Sequence, residues 1–378
     1  MAFDSNVKIG VLGGGQLGRM MIQSAIDFNL DIHVLDPDPN APCKDISTSF
    51  TNGVLTDYDT VMSFGADKEL LTIEIENVNT QALKDLQSQG KKVFPQPEII
   101  ELIQNKLHQK QFYAKHGIPT APFQEVANAE EVRAKKDSLP FVNKLATGGY
   151  DGRGVQVIRN EKALEKAFDA LGFVEEMVDF EKELAVIVAR NEAGEMRTFP
   201  TVEMVFHPEH NLVEYLFSPA EINADVEQEA QQLAKTVIEK LDMVGLLAIE
   251  MFLTKEGKLL VNEVAPRTHN SGHQTIEGNV TSQFEQHLRA ILNWPLGDTS
   301  TLWPSAMVNL LGDDGFIGDA KYEGMSEVLS KAGVHVHLYG KKITKPFRKM
   351  GHITVSDQDM NELREKVNFV KSTLKVKA

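Results

Sequence analysis

Two glutamates, Glu250 and Glu263, have the spacing that most directly indicates chemistry in this chain. Each lies in a run of alternating apolar residues, and the runs flank Lys255-Glu256-Gly257-Lys258, a sequence typical of a β-hairpin turn. A symmetric hairpin centred on Glu256 and Gly257 pairs residues whose numbers sum to 513, so the two glutamates should face each other. Carboxylates about 5 Å apart repel by about 3 kcal/mol at an effective dielectric constant of about 20.

That repulsion must be offset by a shared proton, by a neighbouring Lys or Arg, or by a cation. Asn262 stands beside Glu263 and adds an oxygen ligand, which favours a hard cation such as Mg²⁺. Mg²⁺ held by few carboxylates usually binds substrate phosphates as well. We therefore predict a metal site for Mg²⁺, with Mn²⁺ as a second candidate ion, and keep a purely structural pair as the alternative.

Two glycine-rich segments could hold phosphates. Gly13-Gly-Gly-Gln-Leu-Gly18 lies between a predicted strand and a predicted helix, and Asp36 ends the next strand, as in dinucleotide-binding folds. A nicotinamide cofactor and a ribose phosphate would both suit this loop. The second segment, Thr147–Gly154, joins two predicted strands and can fold its N–H groups over phosphates beside Lys144. It lacks the Gly-Lys-Ser/Thr ending of a Walker loop.

Oxyanion donors are concentrated in two further segments. The residues from Arg267 to His273 supply a guanidinium, two imidazoles, an amide and two hydroxyls directly after the glutamate hairpin. Such a set can bind a small oxyanion and a transferring phosphoryl group. Tyr339–Lys342 and Arg348–His352 place cationic groups near predicted strand ends, which predicts a local phosphate site in an acidic protein.

The expected elements divide the chain into three parts. Strands alternating with helices over residues 1–105 predict a doubly wound parallel α/β sheet, with one long helix over 97–116 at its end. Residues 106–300 read as an antiparallel α+β centre, with a glycine-loop subdomain at about 115–190 and a metal-site subdomain at about 191–300. Within this centre the pattern predicts a helix near 161–171 and a strand over 197–206. Residues 301–378 predict a small C-terminal domain.

Composition excludes several classes of protein. The chain has 378 residues and a formal net charge of −15, which argues against nucleic-acid and membrane-surface partners. Cys43 is the single cysteine, so no intramolecular disulfide can form, and a cytoplasmic location is expected. No apolar run approaches the ~18 residues that span a bilayer, and no signal peptide is predicted.

The chain resembles the ATP-grasp superfamily and, within it, the N5-carboxyaminoimidazole ribonucleotide synthetases of purine biosynthesis. The resemblance covers the whole chain and is carried by Gly13–Met20, Thr147–Gly154 with Lys144, Asn262–His273 and Arg348–Thr354. It implies an N-terminal Rossmann-like (pre-ATP-grasp) domain, a two-part ATP-grasp centre, a small C-terminal domain and a homodimer. It also implies that ATP and bicarbonate give carboxyphosphate, whose carboxyl group the amine of 5-aminoimidazole ribonucleotide captures, leaving ADP and phosphate.

The resemblance further implies residue roles. Contacts with ATP would come from Lys106, Lys144, Gly148, Gly149, Tyr150, Asp151, Gly152, Arg153, Gly154, Glu175, Glu176, Met177, Val178, Glu183, His207 and Asn262. Contacts with the aminoimidazole ribonucleotide would come from Gln16, Leu17, Glu76, Tyr150, Asp151, Lys341 and Arg348. The catalytic residues would be Arg267, His269, Asn270, Lys341 and Arg348, and the metal ligands Glu250 and Glu263.

The sequence departs from the family pattern at three places, one of which is Thr268, where a proline is common. Lys106 stands where an arginine is frequent. The stretch Val202–His210 lacks the usual Glu-Asn-x-His pattern, so His207 and His210 are both candidates for a nucleotide contact.

Three other functions remain open from the sequence. An ATP-grasp ligase with another acceptor, such as a formate-dependent glycinamide ribonucleotide ligase, fits less well because of the Arg348–His352 segment. A nicotinamide-dependent oxidoreductase leaves the second glycine loop and the glutamate pair unexplained. A non-catalytic nucleotide-binding module would require that one of the metal carboxylates be missing, and both are present.

Overall fold

The structure is a computed structural model that describes residues 6–148, 154–206 and 212–378. The strands are β1 Lys8–Leu12, β2 Asp31–Asp36, β3 Ser49–Asn52, β4 Leu70–Ile73, β5 Lys92–Val93, β6 Phe123–Val126, β7 Phe141–Leu145, β8 Val155–Ile158, β9 Gly172–Glu176, β10 Phe180–Arg190, β11 Met196–Thr198, β12 Val202–Phe206, β13 Val213–Ser218, β14 Gly245–Thr254, β15 Leu259–Ala265, β16 Ser305–Leu311, β17 Gly318–Asp319, β18 Lys321–Glu323, β19 Val334–Leu338, β20 Ile343–Thr344, β21 Lys349–Ser356 and β22 Lys375–Lys377. The α-helices are α1 Gln16–Asp27, α2 Tyr58–Gly65, α3 Thr80–Ser88, α4 Pro97–Ile103, α5 Lys106–His116, α6 Ala129–Arg133, α7 Ala224–Leu241, α8 Thr275–Gly278, α9 Gln283–Ile291, α10 Met325–Leu329 and α11 Met360–Thr373. Short 3₁₀ helices occupy Lys136–Ser138, Glu161–Lys166 and Asn270–Gly272.

A parallel sheet in the order β3-β2-β1-β4-β5 forms the N-terminal part. Side chains of α1 such as Met21 pack with Ile9 on one face of this sheet. Side chains of α2 and α3 such as Phe64 pack with Leu12 on the other face. Strands covered on both faces become nearly continuous apolar runs, which is why β1 and β4 read so clearly in the sequence. The predicted doubly wound α/β sheet is confirmed.

Antiparallel sheets form the centre, as predicted. A small sheet in the order β6-β9-β7-β8 carries Lys144 and Glu175, and a large sheet in the order β15-β14-β10-β12-β13-β16-β21-β19 carries the glutamate hairpin. Helix α7 covers the hairpin end of the large sheet, where Ile238 packs with Ile249. The C-terminal strands β16, β21 and β19 extend this same large sheet, so the end of the chain is joined to the centre by ladder hydrogen bonds. The boundaries between the three parts stay predictions.

Three elements differ from the sequence-based expectation. The helix expected over 97–116 is broken, because the Asn105 side chain accepts hydrogen bonds from the backbone N–H groups of Leu107 and His108 and starts α5 anew. The helix expected over 161–171 is a 3₁₀ helix that ends at Lys166, followed by β9. The strand expected over 197–206 is divided around Pro200, which has no N–H to donate to a ladder.

Two expectations from composition can be compared with the structure. Cys43 is a buried free thiol, and burial raises its pKa above the usual value. Within the described residues, no helix combines the length and the apolar character that crossing a membrane requires.

Candidate functional site

The β14–β15 hairpin places Glu250 directly opposite Glu263, as predicted. The position of the turn differs from the prediction, and a bulge restores the predicted register. Close to the turn, Leu253 pairs with Leu259, so the turn is centred on Glu256 and the expected sum of 513 does not hold there. A β-bulge at Asn262 adds one residue to β15 and restores the pairing at the two glutamates.

Two lysine side chains contact the bulged strand at Asn262 and Glu263. The Lys144 ammonium donates to Asn262 Oδ1 at 3.0 Å, and Lys106 forms an ion pair with Glu263. Lys106 is the first residue of α5, and Lys144 lies in β7, so separate elements bring both ammonium groups to one side of the hairpin. The structure thus brings together four residues that the sequence selected as ATP and metal ligands.

A buried cluster of two lysines and one carboxylate adjoins these groups. Glu175 in β9 accepts from Lys144 at 2.5 Å and pairs with Lys110 at 2.9 Å. Burial would raise the pKa of Glu175, but the two ammonium groups hold it below its usual value. The cluster therefore carries one surplus positive charge. It borders a small cavity lined by Lys106, Gln109, Lys110, Lys144, Phe173, Asn262 and Glu263, a charge arrangement that suits a phosphate.

Lys110 was missed by the sequence reasoning, and its role can be tested. In Lys110→Met we expect the Kd for ATP to rise about tenfold, because Glu175 would then neutralise Lys144 alone and the surplus charge would be lost. The remaining pair is neutral, so the variant should still fold. Isothermal titration calorimetry measures the change, with the exposed Lys115→Met of the same helix as control. Equal affinities in the two variants would contradict the role.

Both glutamates of the pair can be ionised together only if a cation lies beside them. Burial, with Glu263 and Glu183 adding repulsion, raises the pKa of Glu250 to about 8, whereas Lys106 lowers the pKa of Glu263 to about 2. Burial also raises the pKa of Glu183 to about 7. Two carboxylates and the Asn262 amide oxygen form an all-oxygen donor set, which fits Mg²⁺ or Mn²⁺. No group of three or more His, Cys, Asp or Glu in the described ranges could hold a metal by itself, so phosphates and water would complete the coordination.

The segment Arg267–His273, here called the oxyanion loop, leaves β15 beside this pair. Arg267 Nε lies 2.8 Å from Glu76 Oε1, and His269 Nε2 lies 3.6 Å from Glu250 Oε1. Burial lowers the pKa of His269 to about 3, so its imidazole is neutral at pH 7. The Asn270 Nδ2 atom is buried and has no hydrogen-bond partner among the described residues. A buried donor in that state points to a ligand that would accept its hydrogen bond.

Residues from the two ends of the chain meet at the other side of the oxyanion loop. The Lys341 ammonium donates to Gln16 Oε1 at 2.9 Å and to the carbonyl of Lys349 at 2.8 Å. Glu76 reaches the same region through Arg267. Arg348 donates to the carbonyl of Ile343 at 2.7 Å, within its own turn. Of the residues predicted for the ribonucleotide, the structure thus brings Gln16 and Lys341 into contact, and Glu76 contacts the oxyanion loop.

The first glycine loop is occupied by the protein's own carboxylates. Glu74 lies beneath it and accepts from Leu17 N–H at 3.1 Å, and a Cβ atom added at Gly15 would lie 2.4 Å from Glu74 Oε1. Asp36, the expected ribose ligand of a dinucleotide fold, accepts from Gly14 N–H at 2.6 Å. The donor for a pyrophosphate and the acceptor for a ribose are both engaged internally, which disfavours the nicotinamide hypothesis.

The burial of Glu74 predicts a pH effect on stability. Burial raises its pKa to about 7 in the folded chain from a reference value of 4.5, so the folded state binds the proton more tightly. That stabilisation is complete below pH 4.5 and is lost as the pH rises through 7. Relative to Glu74→Gln, the native chain should lose about 3 kcal/mol of unfolding free energy between pH 5 and pH 8. Urea titrations at both pH values measure this, with the exposed Glu229→Gln as control; parallel pH dependence in all three proteins would contradict it.

Several predicted ATP residues remain to be placed. Gly149, Tyr150, Asp151, Gly152, Arg153 and His207 lie outside the described residues. Gly148 and Gly154, which flank the second glycine loop, both have positive φ, and Gly154 accepts from Leu145 N–H at 2.9 Å. Glu176, the last residue of β9, is exposed, and the following Met177 and Val178 are half-buried. Their contacts with ATP stay predictions.

Comparisons with known proteins agree with this arrangement along the chain. Residues 6–104 match the ribonucleotide synthetase preATP-grasp domain, residues 111–284 the ATP-grasp domain, and residues 305–366 the phosphoribosylaminoimidazole carboxylase C-terminal domain. The chain is 39% identical to the N5-carboxyaminoimidazole ribonucleotide synthase of Bacillus subtilis, covering 94% of this chain and 92% of that protein. It spans about two thirds of the length of relatives named phosphoribosylaminoimidazole carboxylase, such as those of Ogataea methanolica and Candida glabrata.

Solved structures give the same result. The crystal structure of N5-carboxyaminoimidazole ribonucleotide synthetase from Thermotoga maritima is similar with a TM-score of 0.92 and 43% identity, over 98% of this chain and 99% of that chain. The Aspergillus clavatus N5-carboxyaminoimidazole synthase, solved with ADP and 5-aminoimidazole ribonucleotide, has a TM-score of 0.87 and 34% identity, over 97% and 98% of the two chains. This chain therefore belongs to the N5-carboxyaminoimidazole ribonucleotide synthetase family of ATP-grasp enzymes.

Proposed function

We propose that the chain carboxylates 5-aminoimidazole ribonucleotide to N5-carboxyaminoimidazole ribonucleotide, with ATP and bicarbonate as co-substrates and ADP and phosphate as products, in purine biosynthesis. One observation carries the proposal. The Glu250–Glu263 pair lies between the ammonium groups of Lys106 and Lys144 and the oxyanion loop with its buried Asn270 amide. A phosphate-binding side thus adjoins a side suited to a small oxyanion, as phosphorylation of bicarbonate requires.

In the first step an oxygen of bicarbonate attacks the γ-phosphorus of ATP. The bond from that phosphorus to the β–γ bridging oxygen breaks, ADP leaves, and carboxyphosphate forms. Lys106 and Lys144 would bind the phosphates, and Arg267, His269 and Asn270 would hold bicarbonate in line for attack. Mg²⁺ bound by Glu250 and Glu263, with Asn262 beside them, would supply charge neutralisation at the phosphates.

In the second step the amine nitrogen of the ribonucleotide attacks the carboxyl carbon. The bond from this carbon to the phosphate oxygen breaks, phosphate leaves, and the nitrogen releases a proton. Gln16, Leu17, Glu76, Lys341 and Arg348 are the residues proposed to bind the ribonucleotide. The Lys341–Gln16 contact supports this, because it joins the first glycine loop to the segment Tyr339–Lys342.

The test is ADP release from ATP with bicarbonate, in the presence and absence of 5-aminoimidazole ribonucleotide. We expect the ribonucleotide to stimulate ADP release strongly, and EDTA to abolish it until Mg²⁺ or Mn²⁺ is restored. ADP release that ignores the ribonucleotide and responds to glycinamide ribonucleotide with formate would overturn the proposed acceptor.

We further propose that the working enzyme is a cytoplasmic homodimer. The family resemblance supports the dimer, and the single buried Cys43 agrees with a reducing compartment. Light scattering during size-exclusion chromatography tests the dimer, and a monomeric mass would overturn it.

A further inference from the structure

Gln283 contacts both polar backbone groups of His269 in the oxyanion loop. Its Oε1 accepts from His269 N–H at 2.8 Å, and its Nε2 donates to the His269 carbonyl at 2.7 Å. The same Nε2 lies 3.3 Å from His273 Nδ1. The side chain is fully buried, with 0% of its surface exposed. One amide therefore satisfies both backbone groups of His269, much as a neighbouring strand would.

Gln283 is itself fixed on a rigid element. It is the first residue of α9, and its backbone N–H donates to Thr275 Oγ1 at 2.8 Å. Two α9 side chains, Phe284 and Leu288, are buried against Met21 of α1 in the N-terminal part. The contact between Gln283 and the loop is also tight, because a Cβ atom added at Gly272 would lie 2.6 Å from the Gln283 side chain.

We propose that Gln283 is the positioning residue of the oxyanion loop, a role that rests on the proposed function of that loop with bicarbonate. Its two hydrogen bonds fix the His269 backbone, and thereby the directions in which the neighbouring Arg267 and Asn270 side chains leave the chain. Groups that align reactants are sensitive to small displacements, since an error of about 1 Å can lower a rate about 100-fold.

The chain offers a closely matched control in Gln286, one turn further along α9. Gln286 is also fully buried, and it makes the same pair of bonds to another residue's backbone. Its Oε1 accepts from Gly297 N–H at 2.8 Å, and its Nε2 donates to the Gly297 carbonyl at 3.1 Å. Gly297 lies beyond α9 and outside the oxyanion loop, so loss of the Gln286 bonds should destabilise the protein without misaligning bicarbonate.

The experiment compares Gln283→Met with Gln286→Met in the full chain. We expect kcat/KM for bicarbonate to fall about 100-fold in Gln283→Met and to stay within about threefold of the native value in Gln286→Met. The Kd for ADP, measured by calorimetry, should be nearly native in both, which separates a loop defect from general damage. Equal losses of kcat/KM for bicarbonate in the two variants would overturn the proposal.

Two further measurements keep this result separate from other failures. The native chain is assayed alongside. If it shows no bicarbonate-dependent ADP release, the proposed function itself is refuted, and the role of Gln283 is refuted with it. Gln283→Leu and Gln286→Leu supply a second pair if the methionine variants do not accumulate as folded protein. Leucine at position 283 also removes both hydrogen bonds to His269, so the same selective loss is expected.

Discussion

Replacing Glu263 by glutamine should lower ADP release in the complete reaction by about 1,000-fold. Glutamine keeps the shape of the side chain and removes the charge that faces Glu250 and pairs with Lys106. Without that charge the hairpin can offer a cation only Glu250, whose burial raises its pKa and so opposes ionisation. Steady-state ADP release at saturating Mg²⁺ and ATP measures the effect.

A matched control is available in the same hairpin. Glu256 lies exposed in the turn between β14 and β15, so Glu256→Gln removes one negative charge without touching the site. We expect it to retain native turnover. Near-native turnover in Glu263→Gln would mean that the glutamate pair is structural, the alternative left open by the sequence.

The second large effect is expected for Arg267→Met, which should lower turnover about 100- to 1,000-fold. Arg267 leaves the hairpin beside the glutamate pair and contacts Glu76 of the N-terminal part at 2.8 Å. Its guanidinium is the group of the oxyanion loop best suited to charge that develops on bicarbonate and carboxyphosphate. The Kd for ADP should change little, since the groups proposed to bind the phosphates, Lys106 and Lys144, are held in place by Glu263 and Glu175.

Arg289→Met serves as the control for this change, because Arg289 pairs with Glu285 on the surface of α9 at 2.6 Å. Its turnover should be native. A matched fall in turnover for both variants, or a large loss of ADP affinity in Arg267→Met, would contradict an oxyanion role.

Much of the fold and of the site could be predicted from local sequence patterns. The parallel sheet and the glutamate hairpin were predictable, because strand alternation and turn residues are properties of short segments. The pairing of Glu250 with Glu263 was right even though the turn assignment was wrong, since the Asn262 bulge compensated for it. No local signal in β15 announced that bulge.

The parts that could not be predicted depend on contacts between distant segments. Lys110 lies one turn after Lys106, but its importance depends on Glu175 in β9, which pairs with it where α5 packs against the small sheet. The role of Gln283 depends on its contact with His269, which lies fourteen residues earlier in the chain. The contact exists only because the oxyanion loop packs against α9. The position of Glu74 could not be predicted either, because the chain turns after Ile73 and places Glu74 beneath the glycine loop, whereas Glu76 pairs with Arg267.

The most direct test of the account follows the oxygen that bicarbonate would transfer. The complete reaction is run with ¹⁸O-labelled bicarbonate, and the released phosphate is analysed by ³¹P NMR. Because the attacking oxygen becomes bound to the γ-phosphorus and stays there when the carboxyl group is captured, each phosphate should contain one ¹⁸O atom. Phosphate without label, formed together with a carboxylated ribonucleotide, would contradict the carboxyphosphate route and the assignment of the oxyanion loop to it.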